Sequence, residues 1–197
     1  MRAIASQENI KDVILDAADR LLARYGYRKM TIDDLAQEVG IGKGTVYLHF
    51  RSKEEIVLSH VDRIVRGVVE RLSAIATTNA APDTKIREML VIRVMFRFDA
   101  VQHYTESISE VLREMRTQLL RRRERYFEQE AEIFATVLKQ GQRSGTFRRQ
   151  DTMATARALV TATNALLPFS LSTEELGKRH EVEEAVNRIA NLLLKGL

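Results

Sequence analysis

Lys43, Thr45, Tyr47 and His49 fall at alternate positions of the run KGTVYLH, and Lys53 follows just beyond it. A cation, a hydroxyl, a phenol and an imidazole supply contacts for phosphates and base edges rather than a nucleophile with its base. Gly44, inside the same run, has no side chain to keep a partner away from the backbone. Between Gly40 and Lys53 the basic residues are Lys43, Arg51 and Lys53, and there is no Asp or Glu. A helix beginning at this run presents free N–H groups and a positive dipole end, which suit a phosphate.

Two elements must position these residues. Thr31 is a good N-cap, and Ile32, Leu35, Ala36 and Val39 recur behind it at helical spacing. Gly40 supplies the positive φ that ends this helix, and Ile41 is the apolar residue after it. Gly42 opens the next helix, on which Val46 and Phe50 share one face and leave Lys43, Thr45, Tyr47 and His49 on others. Ser52-Lys53-Glu54-Glu55 is a capping box that starts a further helix. Short helix, glycine turn and short polar-faced helix make a helix-turn-helix signature, the unit that lays its second helix in the major groove. On spacing alone, an ordinary helical hairpin with a solvated face is the alternative.

The stretch TIDDLAQEVGIGKGTVYLHFRSKEEIV resembles the DNA-binding signature of the TetR family of bacterial transcriptional repressors. The likeness lies in Thr31, the acidic pair, Leu-Ala, the glycine turn, Lys-Gly-Thr, Tyr47, Phe50 and Ser-Lys-Glu-Glu. The family often has Ser where this chain has Gly42, so that cap is weaker here. The resemblance implies that Thr31, Lys43, Gly44, Thr45, Tyr47, His49 and Lys53 form the DNA-binding set. Tyr47 and Lys53 fall to phosphates and Thr45 to bases, while Thr31 acts through its cap.

The remaining chain reads as helices. Ile10, Val13, Ile14, Ala17, Ala18, Leu21, Leu22 and Tyr25 form the stripe of a first helix that Gly26 ends. A long helix runs from Lys53 to about Thr77, roughly 40 Å at the helical rise. Further helices are expected at about Thr84–Val101, Thr105–Glu114, Thr117–Arg143, Asp151–Leu167 and Lys178–Lys195. The basic run Arg121 to Arg125 reads as a solvated face rather than a second phosphate patch. The fold class is therefore all-α, with about nine helices. The resemblance implies that residues 1–53 form a three-helix DNA-binding domain, and residues 54–197 a ligand-binding and dimerisation domain.

The resemblance makes the chain a homodimer that binds palindromic double-stranded operator DNA and is released by a small effector. The small and apolar residues Ala158, Ala162, Val182, Val186, Ile189 and Leu193 of the last two helices are assigned to the dimer interface. Phe96, Phe98, Tyr104, Tyr126, Phe127, Phe134 and Phe169 exceed what a helical core requires, and they mark a mainly apolar effector pocket. His103, Tyr104, Asn164 and Arg97 are its candidate polar groups. An alternative of another class is a helical interaction module without an inducer, and a third is a helical enzyme or carrier.

Bulk composition narrows the choice less. The net charge of +4 is compatible with nucleic acid, but residues 1–53 hold nine Lys/Arg against seven Asp/Glu, so local placement carries the DNA case. With no cysteine, disulfides and thiolate chemistry are excluded. None of the four histidines stands in a metal-binding pair, and no phosphate loop or nucleophile elbow occurs. Neither enzymatic activity nor a cofactor is expected. The N-terminal MRAIASQENIKD lacks the apolar core of a signal peptide and no membrane helix is expected, so the reading is cytoplasmic.

Overall fold

The computed structural model describes residues 7–103, 107–168 and 177–197. Among these the chain is all-helical: α1 (Gln7–Lys29), α2 (Ile32–Val39), α3 (Lys43–His49), α4 (Lys53–Thr77), α5 (Pro82–Val101), α6 (Ser107–Glu114), α7 (Arg116–Arg143), α8 (Thr152–Ala162), a 3-10 turn (Asn164–Leu166) and α9 (Arg179–Leu194). It divides into two compact units, one running to Arg63 and resuming over His103–Leu119, the other made of Ile64–Gln102 and Leu120–Leu197. No helix among the described residues is long and apolar enough to cross a membrane.

In the first unit, α1 packs on α2 and α6, and α2 packs on α3. Ile14, Ala17, Ala18, Leu21 and Leu22 are buried as the stripe predicts, with Leu35, Val46, Phe50 and Ile56. The ends of the stripe differ: Val13 and Tyr25 are exposed, and Tyr27 is buried instead. Gly26 explains this, because its φ of 78° and ψ of 169° break α1 and re-aim the following turn, a backbone conformation open to glycine. Arg28 on that turn reaches Glu114 of α6 at 3.2 Å.

In the second unit α5 packs on α9. One apolar cluster joins Leu72, Met89, Phe134, Leu138 and Leu159, and a second joins Val94, Met95, Phe98, Leu167, Val182 and Val186. The fifth helix begins at Pro82 rather than at Thr84, since proline suits a first helical position. The eighth is shorter than expected and stops at Ala162. There the Thr163 hydroxyl turns back on the Val160 carbonyl at 3.2 Å, and both Thr163 and Asn164 accept from the Arg93 guanidinium. The chain tightens into the 3-10 turn over the next residues, a common way for a helix to end.

Candidate nucleic-acid interface and second-unit site

Thr31 caps α2 as its position predicts. Its hydroxyl accepts from the Asp34 amide at 3.1 Å, and the Asp34 carboxylate accepts from the Thr31 amide at 2.9 Å. The side chain of Thr31 is thus committed to the start of α2. The Thr31 hydroxyl also donates to Asp34 Oδ2 at 2.7 Å, and this bond, with that from the Thr31 amide, holds the Asp34 carboxyl below its usual range. Gly40 closes α2 with φ 74°, and its amide bonds the Ala36 and Gln37 carbonyls, the left-handed ending that glycine favours. Val46 and Phe50 are buried beneath α3, which fixes the helix on the unit and turns its remaining faces outward.

On α3, Tyr47 is 47% exposed and Leu48 83%. Thr45 and His49 are half-buried, and Lys43 and Gly44 are exposed. A Cβ built on Gly44 meets nothing within 4 Å, so the protein's own packing does not require the missing side chain. Lys43 Nζ lies 2.9 Å from Asp33 Oδ2, a hydrogen bond that raises the Lys43 pKa. Lys53 is half-buried at the start of α4 and donates to the Tyr27 carbonyl oxygen at 3.0 Å. The capping box is present with a shifted partner: Ser52 Oγ accepts from the Glu55 amide at 3.2 Å, while the Glu55 carboxylate accepts from the Arg51 amide at 2.7 Å.

Leu48 was not singled out by sequence reasoning, because a leucine beside Val46 in a short helix reads as core. The helical angle gives the signal. Val46 and Phe50 face inward four residues apart, which leaves Leu48 nearly opposite them.

The residues assigned to an effector pocket are dispersed. Phe134 and Phe98 lie in different apolar clusters, 0% and 4% exposed. Phe96 covers Gly67 of α4, under the Arg71 guanidinium at 3.9 Å from its ring centroid. Tyr126 is buried, and His103 is exposed in the first unit. Tyr104 and Phe169 lie outside the described residues. Asn164, Phe127 and Arg97 do come together, around a group that sequence reasoning largely missed. Arg93 and Arg97 of α5 share the Glu130 carboxylate of α7, all at 1% exposure or less. Burial pushes the Arg93 pKa down to about 10; Glu130 opposes that shift, and the neighbouring Arg97 adds to it. The available signal was two arginines four apart inside the otherwise apolar run VIRVMFRF.

The dimer assignments need a correction. Val182 and Val186 are 1% and 0% exposed within the single chain, packed against Val94, Met95 and Phe98. They cannot also form an intermolecular surface. Ala158 is exposed, and Ala162, Ile189 and Leu193 are half-buried. Ala158 and Leu193 line a shallow apolar groove with Ala154, Leu192 and Leu197. No cluster of three potential metal ligands occurs among the described residues.

Comparison with known proteins matches two stretches of the chain. Residues 14–59 match the family described as bacterial regulatory proteins, tetR family, and residues 110–190 match the tetracyclin repressor-like C-terminal domain. The chain is 30% identical over 157 residues to the HTH-type transcriptional repressor KstR2 of Mycobacterium tuberculosis, covering 75% of this chain and 74% of that protein. It is 24% identical over 186 residues to the fatty acid metabolism regulator protein of Bacillus subtilis, covering 93% of each. Among solved structures, a transcriptional regulator from Cytophaga hutchinsonii aligns with a TM-score of 0.77 at 19% identity, over 94% of this chain and 96% of that one. The FadR regulator of Bacillus subtilis, solved in complex with stearoyl-CoA, aligns with a TM-score of 0.69 at 19% identity, over 94% and 98%.

Proposed function

The chain belongs to the TetR family of bacterial regulatory proteins, and from that premise we propose that it is a ligand-released repressor. A homodimer binds palindromic operator DNA, one α3 entering the major groove at each half-site, with the two copies about one duplex turn (~34–36 Å) or a multiple apart. Lys43, Thr45, Tyr47, His49 and Lys53 make the contacts, and Thr31 keeps α2 in place behind them. A small, mainly apolar effector enters the second unit and favours a conformation whose recognition helices no longer fit the half-site spacing. The long helix α4, whose residues belong to both units, carries the coupling.

The observation that carries the DNA contacts is the outer face of α3, where Tyr47 is 47% exposed beside a Gly44 that no internal contact requires. The effector draws support from a relative's structure, which holds stearoyl-CoA, and from a relative named for fatty acid metabolism.

The test begins with selection of duplexes from a random library and measurement of binding against salt. Affinity for the selected palindrome falls steeply with salt and exceeds that for random duplex. Binding that does not distinguish the two overturns the reading. A screen of lipophilic compounds by thermal shift and DNA release then addresses the effector. Release of the operator by at least one compound supports it, and a screen without any release leaves a regulator with no inducer.

A further inference from the structure

The buried cluster on α5 and α7 is out of charge balance. Arg93 is fully engaged: Nε donates to Glu130 Oε2 at 2.5 Å, Nη1 to Thr163 Oγ1 at 2.6 Å and Nη2 to Asn164 Oδ1 at 2.8 Å. Arg97 donates through Nη2 to the other Glu130 oxygen and through Nη1 to the Arg93 carbonyl at 2.9 Å. The Arg97 Nε is buried and has no acceptor among the described residues. Two guanidiniums thus share one carboxylate. The nearby acids of the same two helices are engaged elsewhere, Asp99 with Arg179 and Glu128 with Arg157.

An unbalanced charge and an unsatisfied donor are each costly in an apolar interior. Both are relieved by one incoming anion. Its charge follows from the count: a single negative charge neutralises the cluster, whereas a phosphate monoester, with close to two, overshoots. Its body follows from the surroundings. The Phe127 ring lies 5.0 Å from the Arg93 guanidinium carbon and packs against both apolar clusters, and the second of these holds Phe98 and Met95. Phe127 and Asn164 are the neighbours of the cluster that keep partial exposure.

We infer that Arg97, with Arg93 and Glu130 behind it, is the headgroup site for an organic carboxylate with an apolar tail. The carboxylate accepts from the Arg97 Nε, and the tail lies along Phe127. This deepens the effector reading above and rests on it.

The full-length protein is titrated with decanoate and 4-phenylbutyrate, each against the alcohol of the same skeleton, by calorimetry and thermal unfolding. At least one acid binds about tenfold or more tighter than its alcohol. Arg97→Met leaves Arg93 and Glu130 as a balanced pair, so it folds with an undiminished Tm and binds acid and alcohol equally. Glu130→Gln leaves two buried cations unpaired. It melts lower than the parent and recovers Tm with the acid but not with the alcohol. If an alcohol matches its acid and Arg97→Met changes neither, the carboxylate site is overturned while the effector reading stands. Binding of neither acid also overturns the site, and acetate alone producing the full shift removes the tail. Operator release by uncharged compounds only would likewise overturn this site without touching the effector reading.

Discussion

The Lys53 ammonium lies 4.4 Å from the centroid of the Tyr27 ring and donates to the Tyr27 carbonyl oxygen at 3.0 Å. The Tyr27 hydroxyl in turn donates to Glu54 Oε1 at 3.0 Å. The turn that follows Gly26 is thus fastened to the start of α4 from both sides. An ammonium has three donors, so Lys53 can keep this bond and still offer an N–H to a phosphate. The contact also sets where that donor stands.

Tyr27→Phe tests the fastening. It keeps the ring beneath Lys53 and removes the bond to Glu54, at an expected cost of about 1 kcal/mol in unfolding free energy. Chemical denaturation reads the loss directly, and an unchanged midpoint would show that the hydroxyl bond is replaced by water at no cost.

Lys43 and Asp33 make a second prediction. Their side chains are 50% and 67% exposed, so the pair adds little to stability. Lys43→Ala should leave Tm nearly unchanged, weaken binding to all duplexes alike and lower the salt slope by about one. Asp33→Asn should do the reverse, because it frees Lys43 and removes a negative charge from the α2 end of the DNA face. Fluorescence anisotropy across a salt series separates the two, and tighter binding by Lys43→Ala would remove Lys43 from the interface.

Leu48 is too exposed to contribute to the core, so Leu48→Ala should change stability by no more than about 0.5 kcal/mol. An exposed apolar side chain on a groove-reading helix finds the thymine methyl group. Operator binding by Leu48→Ala should weaken, and replacing thymine by uracil at one half-site position should weaken the parent and not the variant. Equal sensitivity of both proteins to uracil at every position would exclude that contact.

The helix-turn-helix was legible because every level of the sequence agreed there. Cap, apolar spacing, glycine turn and capping box point to one arrangement within a short stretch of chain. What lay hidden depends on distant parts of the chain meeting. Arg97 is one of several candidate polar groups, and Arg93 gives no signal of its own, until Glu130 arrives from α7, and Thr163 and Asn164 stop a helix that composition alone would continue. Val182 and Val186 carry the same apolar stripe whether it serves the chain's own core or a second copy. Only the position of α5 against α9 decides between them.

The acid side of the stability curve should report on Asp151. Its carboxylate caps α8 by accepting from the Met153 and Ala154 amides at 2.9 and 3.0 Å, and these bonds hold its pKa below the usual value. A depressed pKa in the folded state means that the unfolded chain binds the proton more readily. The contribution is therefore complete above the ordinary aspartate value near 3.8 and is lost as pH falls through it towards the folded value. Asp151→Asn retains a capping oxygen without the charge. Its Tm should fall less than the parent's between neutral pH and about pH 3, and parallel Tm profiles would show that Asp151 is not a source of the acid sensitivity.

The corrected outer face of α8 and α9 gives the last prediction, which separates surface from core. Ala158 is exposed and lines the apolar groove, and Leu192, at the far end of α9, is 69% exposed. Small residues permit close helix approach, and an uncovered leucine favours a partner surface. Val186 carries the opposite signature, fully buried against α5. Ala158→Glu places a charge in the proposed contact and should yield a folded monomer whose Tm no longer depends on protein concentration. With one recognition helix per particle, it should bind a palindrome far more weakly while retaining the salt dependence of each half-site. Val186→Ala should instead cost roughly 1–3 kcal/mol of unfolding free energy through lost burial and the space left behind, and leave the dimer intact. Light scattering at micromolar concentration decides the matter. A dimeric Ala158→Glu together with a monomeric Val186→Ala would move the interface away from this face.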